Sequence, residues 1–175
     1  RKSILNKRKK LANRNISINF KKILTILKTK NINGKIIGGY YPFNNELDCF
    51  EILKTFEKKK YLITLPKIKK NFQMNFFDWK SDEPLTINKF GIPEPISNKF
   101  RYPDIILVPL VAFDKDLNRV GYGGGFYDRY IQKIKRKKKF ILIGLAYSFQ
   151  KVKKIPVNKH DVKLNLILTE KNIVK

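Results

Sequence analysis

Strand-like runs alternating with helix-like runs predict an α/β chain, with a mostly parallel central sheet and helices on both of its faces. Three observations carry the expectation. Residues 105–111 are an unbroken apolar run bounded by breakers, the pattern of a strand buried on both sides. Ile23, Leu24 and Leu27, and later Leu47, Phe50, Leu53 and Phe56, recur at helical spacing. Polar or glycine-dense segments follow the strand-like runs, where such sheets gather their ligands.

Taken in order, residues 1–13 set Ile4, Leu5 and Leu11 among lysines, and residues 18–27 carry a stronger apolar stripe with Phe20; both are expected helices. Residues 35–41 read as a short strand ending at Tyr40 and Tyr41, after which Asn45 is expected to cap a helix running through Phe56. The next strand is expected over 61–65, stopped by Pro66, and another over 72–79. Residues 81–103 contain Pro84, Pro93, Pro95 and Pro103 and read as an extended surface loop. The central strand is placed at 104–111, a helix at 127–135 and a further strand at 140–146. The last segment, 155–169, opens with Pro156 and closes on the apolar run 164–168. The outcome is a Rossmann-like three-layer arrangement.

At 175 residues and 42% apolar content, the chain has material for one core, so residues 1–175 are read as a single domain. Its one cysteine, Cys49, excludes an internal disulfide and reads as a small buried apolar residue on a helix. No apolar stretch approaches the length of a membrane span, and no signal-peptide core follows the basic start. A cytoplasmic monomer is expected. The formal charge of +25 invites a second reading, a basic nucleic-acid-binding module. The surplus, however, is mostly lysine and is spread along the chain, and its densest runs, 58–60 and 135–139, fall where helices should end. A solvated face that attracts small anions explains it without a dedicated stripe, and neither nucleic acid nor membrane is expected as a partner.

The segment 119–128, RVGYGGGFYD, is the richest in chemistry. Gly121, Gly123, Gly124 and Gly125 permit backbone N–H groups to approach an anion, and a helix from Phe126 would add its positive dipole end. The dinucleotide fingerprint fails because Phe126 occupies its last glycine position, and no glycine here is followed by the lysine and hydroxyl residue of a Walker loop. A ligand-free glycine turn is the plain alternative. Arg119 before the glycines and Asp128 after them suit a magnesium-bound polyphosphate. Asp128 also has a simpler reading, an acid that stabilises a helix N-terminus.

Residues 108–130, VPLVAFDKDLNRVGYGGGFYDRY, together with 155–170, IPVNKHDVKLNLILTE, resemble 5-formyltetrahydrofolate cyclo-ligase, also called methenyltetrahydrofolate synthetase. The segments YYPFNNE at 40–46, Leu65-Pro66 and IPEP at 92–95 extend the resemblance over almost the whole chain. It implies an architecture like that of sugar-phosphate isomerases and CoA transferases. It also implies ATP- and Mg²⁺-dependent cyclisation of 5-formyltetrahydrofolate, with or without a polyglutamate tail, to 5,10-methenyltetrahydrofolate, releasing ADP and phosphate. The formyl oxygen is phosphorylated and N10 then attacks. A sugar-phosphate isomerase-like protein, which needs no ATP, is a third reading that fold analogy alone leaves open.

Carried over by position, the resemblance implies that Arg1, Arg119, Val120, Gly121, Tyr122, Gly123, Gly124, Gly125, Phe126 and Tyr127 hold the ATP. Tyr41 and Glu46, with Tyr122 to Phe126, contact the folate. Asp128 and Asp161 are the magnesium ligands, and Arg119, Tyr127 and Asp128 sit at the chemistry. The family's lysine ahead of Arg1 has no counterpart in this sequence, Leu110 stands where the family has glycine, and Gly124 stands where some members have lysine. His160, the single histidine, reads as a loop residue orienting Asp161, with direct ligand contact as the alternative. Trp79 reads as core, with a place at the folate pocket as its alternative.

Overall fold

A computed structural model describes residues 1–11, 18 and 20–175. Parts of both N-terminal helix expectations, at residues 12, 13 and 19, lie outside the described residues. Helices α1 (Lys2–Leu11) and α2 (Phe20–Thr29) lead into β1 (Ile36–Gly38), α3 (Phe50–Lys58) and the strand pair β2 (Leu62–Ile68) and β3 (Met74–Asp78). A small hairpin of β4 (Leu85–Ile87) and β5 (Pro93–Pro95) follows, then β6 (Phe100–Arg101) and the central β7 (Ile105–Pro109). A second hairpin, β8 (Ala112–Phe113) with β9 (Arg119–Val120), precedes α4 (Phe126–Ile134), β10 (Ile141–Leu145), β11 (Leu166–Leu168) and β12 (Ile173–Val174).

The main sheet has the order β12-β11-β10-β7-β1-β2-β3-β6. Neighbours from β11 through β2 are parallel, whereas β12, β3 and β6 join antiparallel at the flanks. Alternate residues of β7 feed opposite faces, as a pleated strand requires. Ile105 and Leu107 pack in one core with Ile23 and Leu27 of α2 and Leu53 and Phe56 of α3. Ile106 and Val108 pack in the other with Tyr130, Ile131 and Ile134 of α4. Each such aliphatic or aromatic side chain withdrawn from water contributes about 1.5–3 kcal/mol, which makes β7 the hub of the molecule.

Strand order reverses between β1 and β7. From β1 the chain moves outward to β2, and from β7 it moves the opposite way to β10 and β11. The loops leaving the carboxyl ends of β1 and β7 therefore diverge and leave a crevice.

Three local expectations are corrected. Asn45 caps no helix: Asn44 and Asn45 both take left-handed backbone, at φ 50° and 58°, in a turn, and α3 starts at Phe50 after Cys49. Asparagine tolerates that conformation, and so makes the turn that a capping role would forbid. Pro66 does not stop β2, which runs on to Ile68. Leu62 N–H donates toward β1, to Lys35 O at 2.8 Å, so by alternation the nitrogen of residue 66 also faces that side, where β1 has already ended opposite Thr64. A proline there costs no ladder bond. Residues 81–103 are not a featureless loop, since they form the β4–β5 hairpin and then β6 alongside β3.

Candidate active site

The crevice at the strand-order reversal opens into a cavity of about 630 Å³. Every residue assigned to the site from sequence borders it: Arg1, Tyr41, Glu46, the continuous run from Arg119 to Asp128, and Asp161. Trp79 and His160 do not. Trp79 is buried in the α2/α3 core against Phe50 and donates its indole N–H to Glu83 O at 3.1 Å, so the core reading holds. His160 is exposed, and its carbonyl accepts from Gln132.

Part of the cavity is built for anions. Gly123 and Gly125 have φ of 100° and 62°, and a Cβ at Gly124 would sit 2.6 Å from the Phe126 ring, so the loop cannot be traced by ordinary residues without strain. Gly125 is the N-cap of α4 and offers no side chain to the helix. The first-turn N–H groups of α4 are thus left to whatever occupies the cavity. Arg1 stands beside this loop, with Nη1 3.5 Å from Tyr122 O.

The two aspartates, distant in sequence, both border this cavity. Asp128 Oδ1 accepts from Arg119 Nη2 at 2.7 Å and from the Val162 N–H at 3.0 Å, and Arg119 also donates to Val162 O. Residue 162 follows Asp161, whose own Oδ2 accepts from Asn158 N–H at 2.7 Å. Both protein contacts of Asp128 thus fall on one oxygen, and both Asp128 and Asp161 line the cavity. Among the described residues no group of three or more His, Cys, Asp or Glu gathers to hold a metal. A pair of carboxylates beside an anion cradle fits Mg²⁺, which takes one or two carboxylates and completes its shell with phosphate oxygens and water. The donor set therefore fits a magnesium nucleotide.

The lining is also aromatic around Glu46. Glu46 is buried, and its Oε2 accepts from Phe43 N–H at 2.9 Å. Burial raises its carboxyl to about 7, against the opposing pull of the Phe43 N–H and the Arg8 charge. Tyr41 lines the same cavity, its ring edge-on to Phe50 at 5.3 Å. The Tyr127 hydroxyl is buried without a partner, and burial, with Glu46 nearby, pushes the phenol well above its usual range. It is a donor held ready for a ligand oxygen or nitrogen.

One departure from the family pattern acquires a physical reason. Leu110 turns its side chain into the core against Gly144, where a Cβ would lie 3.0 Å from Leu110 Cδ2, so space given up on β10 accommodates it. Its carbonyl accepts from Gln150 Nε2 at 2.8 Å and from Arg8 Nη2 at 2.7 Å. Arg8 is the residue that sequence reasoning missed. It lies in a lysine-rich helix, and only its i−4 and i−7 relation to Ile4 and Arg1 hints at an inward face.

Comparison with known proteins gives a consistent answer. Residues 1–170 match the model of the 5-formyltetrahydrofolate cyclo-ligase family. A 5-formyltetrahydrofolate cyclo-ligase from Haemophilus influenzae is 39% identical over 142 residues, covering 77% of this chain and 75% of that protein. The Escherichia coli K12 protein of the same name is 30% identical over 144 residues, covering 78% and 79%. Among solved structures, a 5,10-methenyltetrahydrofolate synthetase from Mycoplasma pneumoniae superposes with a TM-score of 0.71 at 30% identity, covering 97% of this chain and 95% of that one. The synthetase from Aquifex aeolicus gives 0.70 at 29% identity, covering 98% and 91%. On the match over almost its full length, the chain belongs to the 5-formyltetrahydrofolate cyclo-ligase family.

Proposed function

We propose that the protein cyclises 5-formyltetrahydrofolate to 5,10-methenyltetrahydrofolate at this cavity, using ATP and Mg²⁺ and releasing ADP and phosphate. The observation that carries the reading is the make-up of the cavity lining: open helix N–H groups, Arg1, Arg119 and two aspartates share it with a buried glutamate and aromatic rings. A formyl amide is a poor electrophile, and the magnesium nucleotide, when bound, supplies the phosphoryl group that activates its oxygen. The protein's part is positioning and charge neutralisation.

The glycine loop and the α4 N-terminus orient the phosphates in this reading, while Arg119, held by Asp128, keeps its positive charge beside them. Asp128 and Asp161 hold the metal. Glu46 accepts hydrogen bonds from the amino-pyrimidine edge of the pterin, and Tyr41 packs on the ring. Tyr127 offers its unpartnered hydroxyl to the reacting region. No described helix is long and apolar enough to cross a membrane. The single buried thiol of Cys49 suits a reducing compartment, and we place the reaction in the cytoplasm.

The test is direct. Incubation with 5-formyltetrahydrofolate, Mg²⁺ and ATP is expected to generate the methenyl chromophore, and omission of either Mg²⁺ or ATP to abolish it. Asp128→Asn is expected to lower kcat by about 10²-fold or more while the circular dichroism spectrum stays native. A variant of unchanged activity would remove Asp128 from the metal site.

A further inference from the structure

Arg8 is the largest fully buried side chain among the described residues, only 1% exposed, and it is an arginine. A guanidinium withdrawn from water costs several kcal/mol unless its surroundings compensate. Here they compensate incompletely. No carboxylate lies within salt-bridge distance of it among the described residues. Its Nε is buried without a partner. Its two terminal nitrogens reach three separate loops: Nη2 donates to Leu110 O at 2.7 Å, and Nη1 to the Tyr122 hydroxyl at 2.9 Å, with Asn44 O at a longer 3.5 Å. These are the loops after β7, before α4 and after β1, three of the segments that line the cavity.

Tyr122 connects this arginine to the part of the cavity around Glu46. Its ring stands edge-on to Phe43 at 5.8 Å, and its hydroxyl, accepting from Arg8, lies 3.4 Å from Phe43 O. Phe43 in turn donates its N–H to Glu46. The groups that face Glu46 are Arg8 from α1, Tyr122 from the glycine loop, Tyr127 from α4, Tyr40 beyond β1 and Cys49 ahead of α3. Burial holds the three phenols and the thiol above their usual ranges, so all are neutral near pH 7. Arg8 alone among them carries charge.

Resting on the folate reading of this part of the cavity, we propose that Arg8 is a positioning residue for folate: from the inner face of α1 it fixes Tyr122 against Phe43 and supplies a positive charge that favours the acceptor form of the buried Glu46 for the pterin. The guanidinium is retained in the interior, at a cost in stability, because the carboxylate opposite must be an acceptor when the substrate arrives. Glu46 titrates at about 7, and Arg8 pulls it down. Without Arg8 the carboxyl rises further, and folate binding at neutral pH weakens.

The experiment is direct binding of 5-formyltetrahydrofolate between pH 5.5 and 9, alongside steady-state kinetics. Arg8→Met is expected to weaken folate binding at neutral pH by about tenfold and to move the acid limb of the binding curve up by about one pH unit. The KM for MgATP should change by less than about threefold. Arg8→Lys, which restores the charge without the fork, is expected to return the limb to its wild-type position. An Arg8→Met protein with wild-type affinity and limb, or an Arg8→Lys limb displaced as far as that of Arg8→Met, overturns the proposal. Should Arg8→Met not fold, Tyr122→Phe must weaken folate binding with the limb in place, and Glu46→Gln must lose the limb; failure of either is equally fatal. Since binding is the readout, a wild-type protein that binds folate yet forms no methenyl product defeats the activity reading and leaves this one standing.

Discussion

A single carboxylate illustrates how a site residue trades stability for function. Glu46 titrates at about 7 in the folded chain, above its ordinary 4.5. Between those values the folded state holds a proton that the unfolded chain has released, so stability must fall as pH rises through this window. The full penalty, on the order of 3 kcal/mol, is present above pH 7. Glu46→Gln is therefore expected to melt with the wild type near pH 4.5 and several degrees above it at pH 8, while binding folate poorly. Thermal denaturation at the two pH values checks this, and a wild-type advantage at pH 8 would contradict it. The glutamate was legible from the sequence because it sits in a local motif behind Tyr40 and Tyr41. Its elevated proton affinity was not, since that depends on burial beside Tyr122 and Tyr127, which come from a distant part of the chain.

The β8–β9 hairpin shows how one buried acid organises an element. Asp114 Oδ1 accepts from the N–H groups of Asp116 and Asn118, both at 3.0 Å, and Oδ2 from Asn118 Nδ2 and the Ile155 N–H, also at 3.0 Å. Burial on its own would raise this carboxyl, but the four donors outweigh it and hold it below the usual range. The stabilisation is present above the ordinary carboxylate range and is lost as pH falls through the lowered value. Asp114→Asn turns an amide against N–H donors and is expected to cost about 3 kcal/mol, read from urea unfolding. Because Ile155 begins the segment that carries Asp161, the proposed metal ligand, the variant should also need more Mg²⁺ for half-maximal activity. Elements of this kind were only partly visible in advance. The turn at 114–119 and the strands at 105–111 and 140–146 follow from local apolar runs and breakers, whereas continuation of β2 through Pro66 depends on where β1 happens to end. The hairpin at 85–95 likewise hides behind its prolines, which occupy an edge where no ladder bond is required.

At the scale of the molecule, the charge of +25 acts on both reactants of the proposed reaction, each of which is an anion. Raising ionic strength from about 0.01 M to about 0.1 M contracts the screening length from about 30 Å to about 10 Å. The kcat/KM for folate is expected to fall several-fold over that range with kcat nearly constant, since attraction speeds encounter and leaves the chemistry alone. A salt-insensitive kcat/KM would show that the lysines serve solubility only. Their scattered placement belongs to this scale, and a helix-end run such as 135–139 instead meets local needs: Lys138 pairs with Asp104 at 2.6 Å on the opposite end of the sheet from the cavity. The α/β class was readable because its periodicities repeat along the chain. The gathering of Arg1, Glu46, Asp128 and Asp161 around one cavity required a family pattern to anticipate, because nothing in their spacing encodes it.

The adjacency of β1 and β7 has a final implication. The loop from β1 carries Glu46 and the loop from β7 leads to the glycines, and the two strands are locked side by side, Ile37 against Ile105 and Gly38 against Ile106, with Ile37, Ile105 and Ile106 fully excluded from water. In the proposed reaction, two reactants seated over neighbouring strands of one floor meet at a separation settled when the chain folds. Catalysis then demands no large swing of one lobe onto another, and the entropy of bringing two molecules together is met by the masonry itself.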